Sequence, residues 1–224
     1  MSRTTTRTVN VATFADRPGA STVIKLMMAC NDLSLANDAQ GVWKSEQSPT
    51  RKSRAKGAGM YFVRLQVSHL NEALKIIREL RDDPSLMKLV DQCDAQSRAS
   101  FTKLEQFMPG GAQHGQFGKV AGRIRQNLGF HYDESGKLIA KALKDRVAKH
   151  CTSPSSVTRG STAHLWHFEL ADEILDRIVV REIWKIPEPA DLRTEADKTA
   201  MWIHDILLAF IDFCGEFIWK YVGR

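Results

Sequence analysis

The chain has 224 residues, 43% of them hydrophobic, and carries a formal net charge of +6. This apolar content can form a sizeable core in one domain, with no requirement for a second. The N-terminus lacks the apolar run of a signal peptide, and the longest apolar stretch, residues 201–222, contains too many charged side chains to cross a bilayer. We therefore expect a cytoplasmic protein with no membrane contact.

The first 81 residues predict a flexible N-terminus followed by two long helices. Residues 1–17 are expected to be flexible or loosely attached, whereas apolar residues recur at helical spacing over about 20–44 and again over about 60–81. The Ser- and Gly-containing stretch from Ser48 to Gly59 is expected to be a loop, either a basic tether or a segment that contacts RNA. Its basic residues are Arg51, Lys52, Arg54 and Lys56.

A third helix is predicted after Asp82-Asp83-Pro84, because proline is well tolerated in a first helical turn. It is expected to reach about Phe107 and to end at Pro109-Gly110-Gly111. The stretch from Gly110 to Gly118 has neither the Gly-Lys-Ser/Thr ending of a phosphate loop nor a preceding strand. We interpret it as a linker.

The next predicted helix covers residues 117–131 and has a clear apolar face. Val120, Ile124 and Leu128 follow one another at helical spacing and are expected to be buried. The core beneath them would hold the polar side chains of the same helix in place. This segment therefore contains the best candidates for function.

Arg123, Asn127 and His131 share one stripe of this helix. Arg125 lies about 240° around a regular helix from His131, but Gly129 can loosen or end the helix and bring the two together. Geometry leaves open which arginine is the partner. An arginine and a histidine near a helix end are as typical of a non-functional arrangement as of a functional site. The non-functional arrangement would be a C-terminal cap or an ordinary surface pair.

The order of these residues resembles a known signature. Arg125, five intervening residues and His131, followed by Tyr132 and Asp133, is similar to the Arg-x(4–6)-His motif of the HEPN superfamily. These are all-helical proteins that include metal-independent RNA-cleaving toxins and antiviral effectors. Family members commonly carry Asn or another polar residue directly after the arginine. Here Gln126 occupies that position and Asn127 comes one residue later. This difference from the family pattern affects the role assigned to the Asn127 amide more than the roles of Arg125 and His131.

The resemblance implies catalytic roles for Arg125 and His131, and their chemistry agrees. RNA cleavage without metal needs a base for the 2′-OH, an acid for the leaving oxygen and a cation for the phosphorane. Histidine transfers protons near neutral pH, and arginine matches phosphate geometry. One histidine cannot easily perform both proton transfers, so we expect a homodimer with a composite site at its interface. The supporting or RNA-binding residues are expected to be Arg123, Gln126, Asn127, Tyr132 and Asp133; Asp133 is alternatively the first residue of the next helix.

The basic excess lies in the first third of the chain and around the motif. Residues 1–81 hold 13 Lys and Arg against 6 Asp and Glu, and residues 119–150 hold 8 against 3. Positive charge beside a candidate site suits a polyanionic substrate such as RNA. The alternative is that these side chains only solvate helix faces.

After the motif, a helix is predicted over about 133–150, then a polar loop, then a helix that starts at Ser161 or Thr162 and contains His164 and His167. The sequence offers almost no candidate for a strand apart from a weak β-branched run over residues 178–183. The last helix, over about 190–221, is apolar around most of its circumference and is expected to be central in the core or shared with another subunit. Its single polar stripe consists of Asp205, Asp212 and Glu216.

No cofactor or metal is expected. His164 and His167 are three residues apart, but no third ligand or Glu-x-x-His pair accompanies them. The cysteines are widely separated and are interpreted as small buried apolar residues. They are Cys30, Cys93, Cys151 and Cys214.

Together these patterns predict an all-α, HEPN-like bundle of long antiparallel helices with a C-terminal helical extension, as one domain over residues 18–224. The function expected is a metal-independent endoribonuclease, a toxin or antiviral-defence effector whose partners are RNA, a second copy and an antitoxin or regulatory protein. The alternative is a non-catalytic helical dimer that binds RNA, nucleotide or a partner protein.

Overall fold

The computed structural model describes residues 5–45, 49–124, 135–150, 154–159, 161, 167–187 and 192–223. The all-α prediction is confirmed, since these residues are mostly helical and contain one two-stranded sheet. The helices are α1 (Val11–Ala15), α2 (Ala20–Ser45), α3 (Pro49–Arg81), α4 (Pro84–Val90), α5 (Ala95–Glu105), α6 (His114–Ile124), α7 (Lys137–His150), α8 (Glu169–Arg177) and α9 (Leu192–Val222), with a π-helical segment over Ile178–Ile183 and strands β1 (Val157–Thr158) and β2 (His167–Phe168).

The contacts of the chain divide it into two compact units. Unit 1 consists of Met1–Ser34, His69–Gly115 and His204–Arg224, and unit 2 of Leu35–Ser68 and Gln116–Ile203. The single domain expected over residues 18–224 stays a prediction. Among the described residues, no helix combines the length and the apolar character that crossing a membrane requires.

Part of the N-terminal segment for which we expected flexibility forms α1. Asn10 caps this helix, accepting a hydrogen bond from the Thr13 N–H. Phe14 is buried with its ring centroid 5.4 Å from that of Tyr221, and Arg17 Nη1 donates to the Tyr221 carbonyl at 2.6 Å. Both contacts lie within unit 1 and join α1, and the residues just after it, to the C-terminal end of α9.

The two long helices expected in the first third of the chain are α2 and α3, and they run antiparallel. In unit 1, Lys25 Nζ lies 2.8 Å from Glu79 Oε2, and further along α2 the Asp32 carboxylate lies 3.8 Å from His69 Nδ1. The loop predicted over 48–59 is wrong for residues 49–59, which form the start of α3. Pro49 suits a first helical turn, and the Arg, Lys and Ala that follow are good helix formers.

The third helix predicted after Pro84 is instead two helices, α4 and α5. Pro84 lies in the first turn of α4 as expected, and Asp83 caps this helix. The chain leaves the helix after Val90, and a second aspartate, Asp94, caps α5 by accepting from the Ser97 N–H at 2.7 Å. Asp is a strong N-cap residue because its carboxylate satisfies N–H groups that lack a helical partner.

The region after α7 differs most from the prediction. His167, expected inside a helix with His164, lies in β2, where it pairs with Thr158 of β1, and helix α8 starts only at Glu169. The β-branched run 178–183 is a π-helical segment that continues α8 rather than a strand. His164 lies outside the described residues.

The last helix, α9, is a core element. This is one of the two alternatives expected from the sequence. In unit 1 its rings of Phe210, Phe213 and Phe217 are fully buried, and Phe213 packs against Phe101 with centroids 4.9 Å apart. The polar stripe is confirmed, since Asp205 and Asp212 are exposed and Glu216 is half-buried. Burial of the opposite face is the ordinary outcome for such a helix.

Candidate functional site

Helix α6 leads into the Arg-x5-His motif, and the described part of its apolar face is buried as the sequence predicts, whereas Leu128 lies outside the described residues. Val120 and Ile124 are buried together with Phe117 and Ala121. Arg123, in the last turn, is half-buried, and its Nη1 donates to the Glu182 carbonyl at 2.9 Å. Arg123 is therefore the one predicted site residue that the structure describes. The others lie outside the described residues: Arg125, Gln126, Asn127, His131, Tyr132 and Asp133.

Glu182 also holds the helix on the far side of the motif. Lys141 of α7 donates from Nζ to Glu182 Oε1 at 2.6 Å, and Lys185 lies 3.4 Å from Oε2. The hydrogen bond from Lys141 keeps the pKa of the Glu182 carboxyl below its ordinary value, although partial burial acts in the opposite direction.

Glu182, in the π-helical segment, therefore contacts residues on both sides of the motif. Its carbonyl binds Arg123, two positions before Arg125, and its carboxylate binds Lys141, eight positions after Asp133. π-Helical segments are frequent at functional sites.

A cleft of about 410 Å³ also lies within unit 2, between α3 and the β2–α8 segment. We call it the α3–α8 cleft and define it by Arg54, Tyr61 and Arg64 of α3, Phe168 of β2, and Asp172 of α8; Trp43 of α2 contributes to its wall. Its size falls in the range of about 300–1,000 Å³ that is typical of small-molecule sites.

A histidine–aspartate pair lies in the wall of this cleft. His167 Nε2 is 3.1 Å from Asp172 Oδ2, and the His167 side chain is 10% exposed against 31% for Asp172. The bond joins the first residue of β2 to the first turn of α8 and so fixes the backbone next to Phe168. The cleft wall is therefore preorganised by its own backbone and side-chain bonds.

Gly57 permits the close approach of α8 to α3. A Cβ added at this position would overlap the Asp172 carboxylate, which leaves room for no side chain here. By contrast, a Cβ added at Gly59, two residues along the same helix, would meet nothing within 4 Å.

Aromatic and cationic side chains supply most of the remaining chemistry of the cleft. Tyr61 is 51% exposed and Phe168 is 50% exposed, which is high for rings of this size. The Arg64 guanidinium carbon lies 5.9 Å from the centroid of the Tyr61 ring, within cation–π range. A planar ring with a negative charge is the kind of ligand that such groups recognise.

The sequence indicated only part of this cleft. Arg54 belongs to the basic cluster that the sequence identifies, and His167 is one of two histidines whose spacing alone would suit a metal, but Tyr61, Arg64 and Asp172 carry no signal of their own. Within the described part of the chain, no three or more His, Cys, Asp or Glu side chains are grouped so as to hold a metal ion.

Comparison with known proteins gave no relative: the chain matches no protein-family model, no curated protein and no solved structure.

Proposed function

We propose that this protein is a metal-independent endoribonuclease of the HEPN type. The observation that carries the proposal is the Arg125-x5-His131 motif in a chain whose all-α fold is the one that such a motif requires. The contacts of Glu182 with Arg123 and Lys141 add support, because they hold the helices on either side of the motif.

In this mechanism His131 removes the proton of a ribose 2′-OH or protonates the leaving 5′ oxygen, and Arg125 stabilises the charge that builds on the phosphorane. The products are a 2′,3′-cyclic phosphate and a free 5′-hydroxyl. Two copies of the chain supply the two proton transfers at one composite site. Asn127 and Arg123 assist in phosphate binding, with Gln126 beside them, and Tyr132 and Asp133 orient the motif.

The biological role that goes with this activity is that of a toxin or an antiviral effector, working in the cytoplasm and held in check by an antitoxin or regulatory protein.

The test is cleavage of a generic single-stranded RNA in EDTA. Wild-type protein should cut it, and His131→Ala and Arg125→Ala should each abolish cutting while helix content and oligomeric state stay unchanged. A substrate with 2′-deoxyribose at each position should remain intact, because the nucleophile is missing. Arg159→Ala, which alters an exposed arginine outside the motif, is the matched control and should cut normally. Activity that requires a divalent ion, or that survives both motif substitutions, would refute the proposal.

The second candidate is a non-catalytic helical protein that binds RNA or nucleotide. The α3–α8 cleft favours it, since its aromatic and cationic lining needs no catalytic motif to hold a ligand. One experiment distinguishes the two functions, because a non-catalytic protein binds RNA in EDTA without cutting it.

A further inference from the structure

The α3–α8 cleft combines the two kinds of group that hold single-stranded nucleic acid. Tyr61 and Phe168 present half-exposed rings, one from α3 and one from β2. Bases stack on such rings with little regard for sequence, since every base has a π face. Arginine provides the second kind, because its planar fork of N–H donors matches phosphate oxygens.

Arg54 and Arg64 lie on the same helix as Tyr61, seven residues before it and three residues after it. The Arg64 guanidinium lies within cation–π distance of the Tyr61 ring, so a cation and an aromatic face are placed side by side. The first turns of α3 carry further Lys and Arg in the sequence, so the local charge favours an anion.

One oxygen of the Asp172 carboxylate is already engaged by a neighbouring side chain. Its Oδ2 is hydrogen-bonded to His167, which is almost completely buried. The pair fixes β2 against α8 and so sets the position of Phe168. The aromatic wall is thus formed before any ligand arrives, which lowers the entropy lost on binding.

We propose that the α3–α8 cleft is a nucleotide-binding subsite that holds one base and its phosphate from a single-stranded RNA, the base on Tyr61 and Phe168 and the phosphate on Arg54 and Arg64. This inference rests on the proposed function, because it places one nucleotide of the RNA that the motif cleaves. A volume of about 410 Å³ suits one nucleotide and is too small for several.

The probe is a fluorescent five-nucleotide RNA with 2′-O-methyl groups throughout, which cannot be cleaved by transesterification. Its binding is measured by anisotropy on the full chain, with adenosine 5′-monophosphate as the competitor. Tyr61→Ala should weaken binding about tenfold, the loss expected for one stacked base. Arg54→Ala should weaken it by a similar factor and should also reduce the salt dependence of binding.

Conservative variants separate direct contact from a folding effect. Tyr61→Phe keeps the ring and should bind like wild type, and Arg54→Lys should recover part of the affinity because it keeps the charge without the fork. Arg159→Ala removes an exposed arginine outside the cleft and should leave binding unchanged. Thermal melts by circular dichroism identify any variant that fails to fold.

The outcomes distinguish the subsite from the nuclease. If wild-type protein cuts RNA through Arg125 and His131 but Tyr61→Ala and Arg54→Ala bind the probe normally, the subsite is refuted and the nuclease stands. If wild-type protein does not cut RNA but binds the probe in a way that depends on Tyr61 and Arg54, the nuclease is refuted and the subsite stands. Equal loss of binding in Tyr61→Phe and Tyr61→Ala would also overturn the subsite, since stacking does not use the hydroxyl.

Discussion

Three described cysteines have different environments, and their thiols should differ in reactivity. Cys30 is half-buried, and a hydrogen bond from Cys214 lowers the pKa of its thiol although burial raises it. Burial raises the pKa of Cys93 to about 11, and it raises that of the fully buried Cys214 well above the ordinary value. The expected interpretation as small buried residues holds for Cys93 and Cys214, whereas Cys30 is partly accessible.

We predict that iodoacetamide alkylates Cys30 first in the native protein and at a lower pH than an ordinary thiol, because the thiolate is the reactive form. Cys93 and Cys214 should react only after unfolding. Peptide mapping by mass spectrometry as a function of pH measures each site separately and also separates Cys151, which lies outside the described residues.

Cys214→Ala should raise the pH midpoint of Cys30 alkylation, since it removes the hydrogen-bond donor. Cys214→Ser keeps a donor of similar size and is the matched control, with a midpoint closer to wild type. An unchanged midpoint in Cys214→Ala would show that the contact between the two sulfur atoms does not control the Cys30 thiol.

Single residues also show where sequence reasoning stops. The helical spacing of Val120 and Ile124 was enough to predict their burial, because periodicity is a local property. The partner of Arg123 could not be predicted in this way, since Glu182 is 59 positions away and is brought near only by the tertiary fold. The same holds for Asp172 and Gly57, whose contact belongs to two elements far apart in the sequence.

At the scale of elements, the sequence predicted the helices with long apolar stripes and missed the boundaries set by single polar residues. The helix predicted over about 20–44 is Ala20–Ser45 in the structure, and the one predicted over about 190–221 is Leu192–Val222. The break between α4 and α5 was missed because the helical spacing of apolar residues continues on both sides of it. Only the Asp94 cap marks the start of α5. The strands β1 and β2 are two residues each, too short for an alternating pattern to reveal them.

The packing of α8 against α3 gives a test at this scale. Alanine is normally favoured over glycine in a helix interior by up to about 1 kcal/mol. Gly59→Ala, whose added Cβ meets nothing within 4 Å, should therefore stabilise the protein by a few tenths of a kcal/mol up to about 1 kcal/mol. Gly57→Ala should instead lower stability, because its Cβ displaces the Asp172 carboxylate from the bond with His167.

Thermal melts of the two variants measure this difference, with Gly59→Ala as the internal control on the same helix. The double variant Gly57→Ala, Asp172→Ala should recover part of the loss, since the overlap is then removed. A Gly57→Ala variant as stable as Gly59→Ala would mean that α8 does not approach α3 as described.

At the scale of the whole molecule, the proposed chemistry limits the assembly that can carry it. A single imidazole is either the base or the acid in one turnover, and both proton transfers are needed for efficient cleavage. Two copies of His131 at one cleft meet this requirement through a twofold axis, which presents the same groups from both chains. Activity should then depend on association, and it should be lost with the dimer.

We predict that light scattering finds a dimer and that cleavage per subunit falls on dilution over the range in which the dimer dissociates. A ninefold excess of His131→Ala should lower the activity of each wild-type subunit about tenfold after subunit exchange, because most wild-type chains then share a site with an inactive partner. Wild-type dimers that are chemically cross-linked beforehand cannot exchange and should keep their activity, which excludes simple competition for RNA. A strict monomer whose cleavage rate stays proportional to its concentration would show that one motif is sufficient and that the composite site does not exist.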